Sequence, residues 1–448
     1  MILKNYLKFV LPSMVAFAFS GIYGIVDGFF IGRNIGDAGL AAINIAYPIT
    51  ALIQAVGTGI GMGGAIHFSM KKGCGDKDGA ARYLGVTFML LAAACAVVTV
   101  LLALFHKLVL AVFGAEGNIL ELGCDYIRVI IAGAVFQVIG TGLVPVLRNH
   151  GKSVFAMGCM VAGFMTNIVL DYLFISVFPF GMAGAAWATV IGQAVTAVPG
   201  IVLLFSKKYR LSRSGWRFSA NCMREVLATG LSPFGLTLSP NIVLILMNKT
   251  AMIYGGGSAV AAYAVVSYVL CVFQLLMQGV GDGSQPLVSN AFGREDTKTA
   301  KSVCKMAYAL AAVVSLACTS AMLLLREQLP PFFGASAEVT EMAAGAIVVF
   351  TAGFMPVAFL RVTTSYFYAA KKNLFAYLMV YGEPALLFCL LTTVLPRIWG
   401  LQGVWASVPA AQALLALLGA FLLFLATRPK EAVPMPSRCK AAVDEPEP

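Results

Sequence analysis

Apolar runs of twenty or more residues, separated by short polar segments, recur twelve times along the chain. They fall at 6–31, 41–68, 83–106, 123–147, 153–177, 182–206, 224–253, 258–288, 302–325, 341–369, 374–396 and 401–427. About 20 apolar residues in a helix cross the hydrocarbon core of a bilayer. The pattern therefore predicts an all-α polytopic membrane protein of twelve spans. The polar stretch 207–223 divides the chain into an N-terminal lobe over 1–206 and a C-terminal lobe over 224–427, six spans each. Residues 428–448 are Pro-rich and charged and predict a disordered tail. Residues 1–8 run into the first span without a small-residue cleavage site, which predicts a retained first helix.

Charge adds an orientation. Of 31 Lys and Arg, 24 fall at the N-terminus, in every second loop (2–3, 4–5, 6–7, 8–9, 10–11) and in the tail. The other side and the spans share Arg33, Lys107, Arg128, Lys249, Arg326, Arg361 and Arg397. Cytoplasmic loops carry the excess of basic residues, so both termini are expected in the cytoplasm of a cell membrane. The net charge of +11 is thereby explained without a nucleic-acid partner. The 10 Cys are scattered with no CxxC pair, which favours neither a disulfide framework nor a metal site.

The two halves repeat. Residues 39–80 lie on 259–300 without a gap, with nine identities in 42 positions, among them Gly59/Gly279, Gly63/Gly283, Gly73/Gly293 and Asp76/Asp296. The same offset of 220 pairs Ala132-Gly133 with Ala352-Gly353. Near the ends of the halves, Gly181, Gly184, Gln193 and Gly200 match Gly400, Gly403, Gln412 and Gly419 at an offset of 219. Six spans per half is an even number, so the halves share one orientation and a pseudo-two-fold axis along the membrane normal is expected. Repeated lobes are typical of transporters that alternate access. Prolines inside the runs (Pro12, Pro48, Pro145, Pro233, Pro240, Pro356, Pro384) mark bends or static kinks.

Ionisable residues inside membrane spans are costly and mark function. Asn167 and Asp171 in span 5 are four apart and share a helix face. Asp27 lies six residues before the polar end of span 1 at Arg33, and Thr189 lies eight residues into span 6. Counted from the span ends, these four reach similar depth from three helices. Two carboxylates, an amide and a hydroxyl make an oxygen-rich set suited to a hard cation or to exchangeable protons. Tyr23, one turn from Asp27, is placed to complete it.

In the same segments the chain resembles a known family. VDGFFIGRNIGDAGLAAINIAYPI, LRNHGKSVFAMG, TNIVLDYLFI and GMAGAAWATVIGQ are similar to the MATE (multidrug and toxic compound extrusion) transporters, nearest to their prokaryotic DinF-like branch. The likeness covers nearly all twelve spans. It implies an N-lobe coupling site of an acid on helix 1, an Asn and an acid on helix 5 and a Thr on helix 6, which fall on Asp27, Asn167, Asp171 and Thr189. It implies a bending proline on helix 1, which falls on Pro12. It further implies proton or cation antiport driving export of amphipathic, often cationic, small molecules. The chain departs from the NorM-like branch, whose sodium site uses acids on helices 7 and 10. Beyond Glu225 at its cytoplasmic end, span 7 here has no acid, and span 10 carries Arg361.

Four charges in the second half remain. Asp282, in GVGDGSQP, is expected to serve a Gly-rich helix break. Glu383 and Arg361 lie at comparable depth, and an ion pair between them is expected to neutralise both, ahead of a substrate or proton role. Lys249 is near a span end and suits snorkelling. No organic cofactor or metal is called for; the coupling ion is a proton, with sodium as the alternative. The partners expected are amphipathic small molecules and membrane lipids, with the chain a monomer. A flippase for lipid-linked oligosaccharides of the same architecture is the competing function. It would need several basic residues in its cavity to hold pyrophosphate, and the spans supply few. An enzyme would need a nucleophile–base pair or metal cluster, and His67, His106 and His150 stand isolated in the sequence.

Overall fold

The computed structural model describes residues 2–206, 213–333 and 335–427. The tail expected over 428–448 and part of the 207–223 linker lie outside them. Helix dominates throughout, as a bilayer requires of backbone groups that find no water. Eight helices are individually long and apolar enough to cross a membrane, and two bent pairs qualify together. The helix Ala220–Gly293, 74 residues long, is two spans parted at Gly256, whose φ is 64°. Asn373–Cys389, continued by a π-helical turn over Leu390–Val394, makes the twelfth span among the described residues.

Spans 1 to 6 are thus Ile2–Ile35, Asp37–Gly73, Lys77–Val112, the pair Gly117–Ala132 and Ala134–Asn149, Ser153–Asp171 with its π turn Tyr172–Val177, and Gly181–Leu204. Spans 7 to 12 are 220–255, 257–293, Thr297–Leu325, the pair Ala337–Thr351 and Phe354–Ala369, Asn373–Cys389 with its π turn, and Leu395–Thr427. Outward-facing apolar side chains such as Leu104 (70% exposed), Leu324 (77%) and Leu417 (70%) can only be tolerated against lipid. This is the all-helical, twelve-span, two-lobed class that the hydropathy pattern predicts.

The repeat is built into local geometry. Span 4 bends by 60° at Gly133 and span 10 by 48° at Ala352-Gly353, the dipeptides that the offset of 220 pairs. Asp76 and Asp296 both cap the helix that follows, accepting from the N–H of Gly79 (2.8 Å) and Thr299 (2.9 Å). Positive φ recurs at Gly36 and Gly256, Gly75 and Glu295, Gly151 and Lys371, and Gly181 and Gly400. The last pair is offset by 219. A π turn precedes each member of that pair, six residues long in span 5 and five in span 11.

The described residues group into two compact units. One comprises 15–206, 213–238 and 289–295; the other comprises 2–14, 239–288 and 296–427. Repeated glycines explain why each unit takes the leading segment of a first helix. In the first unit a Cβ on Gly63 would lie 2.2 Å from the Val226 carbonyl oxygen. In the second, a Cβ on Gly283 would lie 2.7 Å from the Val10 Cα. Helices approach this closely in membranes only where small residues allow it.

Candidate functional site

Spans 5 and 6 cross at Gly163 and Gly192. A Cβ on Gly192 would sit 2.7 Å from the Gly163 carbonyl oxygen and 3.0 Å from the Asn167 Cβ. That contact brings Asn167 and Thr189 together, each about one turn from the crossing on the same side of it. Asn167 Nδ2 lies 3.4 Å from Thr189 Oγ1. In the orientation that satisfies both its ends, the amide nitrogen donates to Asp171 Oδ2 at 3.2 Å and the amide oxygen accepts from the Thr189 backbone N–H at 3.2 Å. Asp171 closes the α-helical part of span 5, directly before its π turn.

Asp27 of span 1 completes the set. Its carboxyl lies beside that of Asp171. Asp27 is 8% exposed, Asn167 2%, Asp171 0% and Thr189 7%. Asp27 Oδ1 and Asp171 Oδ1 are buried with no hydrogen-bond partner among the described residues. Buried polar atoms are nearly always paired, so two orphaned carboxylate oxygens in one site need a reason. The four residues named from the sequence are therefore neighbours within one unit. Tyr23 is beside them, its ring stacked on Phe164 at 5.0 Å. Pro12 is inside the helix of span 1, fifteen residues earlier and in the other unit.

Tyr126 of span 4 is a member that the sequence did not disclose. It is buried, within electrostatic reach of Asp27, Asp171 and Thr189. An aromatic residue in an apolar run carries no distinguishing signal; only the packing of span 4 against span 6 reveals it.

The repeat supplies an internal comparison. The positions equivalent to Asp27, Tyr126, Asn167, Asp171 and Thr189 are Met247, Ala346, Leu387, Leu391 and Val408. All five belong to one buried apolar cluster of the second unit. The same architecture is thus filled with apolar side chains in the second half. The polar set in the first half is not a requirement of the fold.

The second half corrects the expectations drawn for it. Arg361 and Glu383 do not pair. The Arg361 guanidinium donates to Gln274 Oε1 at 3.0 Å, and Glu383 Oε1 accepts from Gln412 Nε2 at 3.1 Å. Their comparable depth does not place them on facing surfaces of spans 10 and 11. Asp282 lies in a continuous helix, not at a break; its Oδ1 accepts from Gln278 Nε2 (2.9 Å) and the Tyr368 hydroxyl (2.5 Å). Lys249 is exposed.

His67 is not isolated. Its Nε2 lies 3.1 Å from Thr229 Oγ1, its Nδ1 lies 3.4 Å from Glu225 Oε2, and Tyr83 donates to that same oxygen at 2.7 Å. Residues 162 apart in the chain gave no sign of this network, which ties spans 2, 3 and 7. His106 and His150 each turn a ring nitrogen to a carbonyl four residues earlier.

The MatE family profile matches residues 12–173 and 236–391, well over half the chain and both repeats. The chain belongs to the MatE family. It is thus a membrane transport protein rather than an enzyme. It is similar to the multidrug export protein MepA of Staphylococcus aureus, at 24% identity over 428 residues, 95% of this chain and 94% of that one. It is equally similar to MepA of Staphylococcus haemolyticus, at 24% identity over 94% of this chain and 93% of its relative. Among solved structures, an outward-facing multidrug resistance MATE transporter of the MOP superfamily matches with a TM-score of 0.87 at 23% identity, covering 99% of this chain and 97% of that one. A MATE crystal structure in a bent conformation matches with a TM-score of 0.84 at 22% identity, over 99% and 96%. These matches give the chain the MATE fold.

Proposed function

We propose that the chain is an ion-coupled antiporter that exports amphipathic, often cationic, small molecules from the cytoplasm by alternating access. Its profile match and its likeness to multidrug export proteins support the exporter class. The observation that carries the coupling is the facing pair Asp27 and Asp171, buried without a cationic partner among the described residues, at positions the second repeat fills with apolar residues.

Two carboxyls in contact cannot both hold a full charge in a water-poor site. The pair therefore binds one proton when open to the outside and releases it to the cytoplasm. Asn167 positions Asp171 through its amide, and Thr189 with Tyr126 fixes the far wall. Tyr23 shields Asp27. Occupancy of the site reshapes span 1 near Pro12, lowers substrate affinity and favours release outside; loss of the ion inside resets the carrier. A coupling ion must bind the two conformations with different affinity, or it shifts nothing. In this reading the basic loops and both termini face the cytoplasm of a bacterial cell membrane, and the chain acts as a monomer.

The test is dye uptake into inside-out vesicles under an imposed pH gradient at zero sodium. Uptake driven by the pH gradient, and lost in Asp27→Asn, is expected. Full activity with sodium alone would transfer the coupling to sodium held by the same oxygens. Activity with neither gradient would overturn antiport altogether.

A further inference from the structure

Spans 8 and 10 meet along a polar seam within the second unit. Gln274, Gln278 and Asp282 follow one another at four-residue spacing on span 8, hence on one face. Opposite them on span 10 stand Arg361, Ser365 and Tyr368. The contacts are Arg361 to Gln274 at 3.0 Å, Ser365 Oγ to the Gly281 carbonyl at 2.7 Å, and Tyr368 to Asp282 at 2.5 Å. Gly281 permits the approach, since a Cβ there would lie 3.1 Å from the Arg361 carbonyl oxygen.

The seam is unbalanced at one end. Asp282 is 3% exposed and holds two donors. Arg361 is only half-buried, and a guanidinium offers five N–H donors in a planar fork and never loses its charge. Its hydrogen bond goes to the neutral Gln274, and no carboxylate among the described residues lies within salt-bridge distance. Arg361 lies eight residues before the end of its helix at Ala369, about 12 Å at 1.5 Å per residue. A cation at that depth without a counter-charge is expensive, and such residues mark ligand paths. The adjoining face of span 8 is accessible: Tyr268 is 41% exposed, Cys271 is exposed, and Gln274 and Gln278 are half-buried. Cys271 lies within the electrostatic reach of Arg361.

We propose that Arg361, oriented by Gln274, is an anion-binding point that receives the carboxylate, sulfonate or phosphate of an amphipathic ligand. The fork geometry suits bidentate recognition of such a group. Under the exporter reading, on which this part rests, the ligand is a transported zwitterion or acid. An anionic phospholipid headgroup offers the same chemistry.

The experiment uses the full chain in nanodiscs of phosphatidylcholine. The probes are a dansyl amphiphile ending in a carboxylate and its methyl ester. The acid is expected to bind about tenfold more tightly than the ester, the worth of one charge-assisted contact. Arg361→Gln should remove that difference by weakening the acid alone, and Arg361→Lys should keep part of it. An unchanged acid-to-ester ratio in Arg361→Gln overturns the proposal. Should that variant fail to fold, maleimide labelling of Cys271 in the wild-type chain decides. The acid should slow labelling and the ester should not; equal protection, or none, overturns it. Repeating the titration with phosphatidylglycerol in the disc separates the sources. Displacement of the acid by the lipid assigns the point to a headgroup, and independence assigns it to the carried compound. Failure of the wild-type chain to move any cationic dye would sink the exporter reading, while the acid-to-ester ratio still tests the anion site.

Discussion

Replacing both facing carboxyls by their isosteric amides, Asp27→Asn with Asp171→Asn, should leave the protein about as stable as the wild type and unable to couple transport. The size of each side chain is kept, so no cavity or overpacking enters. What changes is the charge and the two orphaned oxygens. In the wild type the pair sits 8% and 0% exposed, and among the described residues it has no cation beside it and one oxygen of each carboxylate is unpaired. Replacing buried ionic groups by neutral ones of similar volume is often neutral or stabilising by about 1–4 kcal/mol. The new amides can donate to one another, but one N–H of each then lacks an acceptor, at a cost of about 1 kcal/mol or more apiece. The two contributions largely cancel, so the net change expected is within about 2 kcal/mol of zero. For a chain of 448 residues that shifts the unfolding temperature by no more than a few degrees, since each kcal/mol moves a large domain about 2 °C. The assay is thermal unfolding in detergent, read by a thiol-reactive dye on Cys124, Cys159 and Cys222. All three are buried in the unit that holds the site. Efflux under a pH gradient is measured on the same preparations. A double variant that melts several degrees below wild type would show the carboxyls to be structural anchors, and the argument from the second repeat would fall with them.

Further expectations follow from other parts of the structure. Gly192→Val should lower both stability and transport, because its side chain would meet the Gly163 backbone at 2.7 Å; a cost above about 2 kcal/mol is expected in the same thermal assay. Arg361→Gln and Glu383→Gln should add in a double-mutant cycle to within about 0.5 kcal/mol, since each engages its own amide and not the other. Asp76→Ala and Asp296→Ala should each cost about 1 kcal/mol as lost helix caps. Burial pushes the Asp76 carboxyl up, but the Gly79 N–H and the Lys71 ammonium outweigh it and hold the group below its usual range. A carboxyl depressed in the folded state stabilises above its unfolded pKa and loses that effect as pH falls. The gap between wild type and Asp76→Ala should therefore be full above pH of about 5 and close progressively below about 4. A gap that widens on acidification would refute the sign. Finally, a reporter fused after Arg428 should read out cytoplasmic; an external signal would reverse the orientation taken from the basic loops.

How much of this was visible in the sequence depends on the range of the interaction. Hydropathy is a property of consecutive residues, so the twelve spans could be read directly, although the breaks within spans 4 and 10 could not. Asn167 and Asp171 were legible as a pair because helical spacing alone puts them on one face. Asp27 and Thr189 were reachable because depth can be counted from a span end. Tyr126 was not, because its role depends on which neighbour span 4 packs against. The Arg361–Glu383 pairing failed for the same reason: equal depth constrains one coordinate and leaves the rotation of each helix free. His67 and Glu225 show the converse, an association of polar groups distant in sequence that no periodicity announces.

The repeat makes the strongest argument, because it compares two fillings of one architecture. Breaks, caps and positive-φ turns recur in both halves, so they belong to the fold. The π turn after Asp171 recurs after Cys389 as well, and its position beside the carboxyl is therefore no evidence of function by itself. What does not recur is the chemistry: Asp27, Asn167, Asp171 and Thr189 face Met247, Leu387, Leu391 and Val408 across the repeat. Apolar burial stabilises at about 25 cal/mol per Å², whereas a buried carboxylate without a partner opposes folding. A chain that keeps the costly set in one half and the favourable set in the other has its polar residues held there by something other than stability. Under the proposed function that reason is differential occupancy by an ion, which needs only one of the two halves to respond.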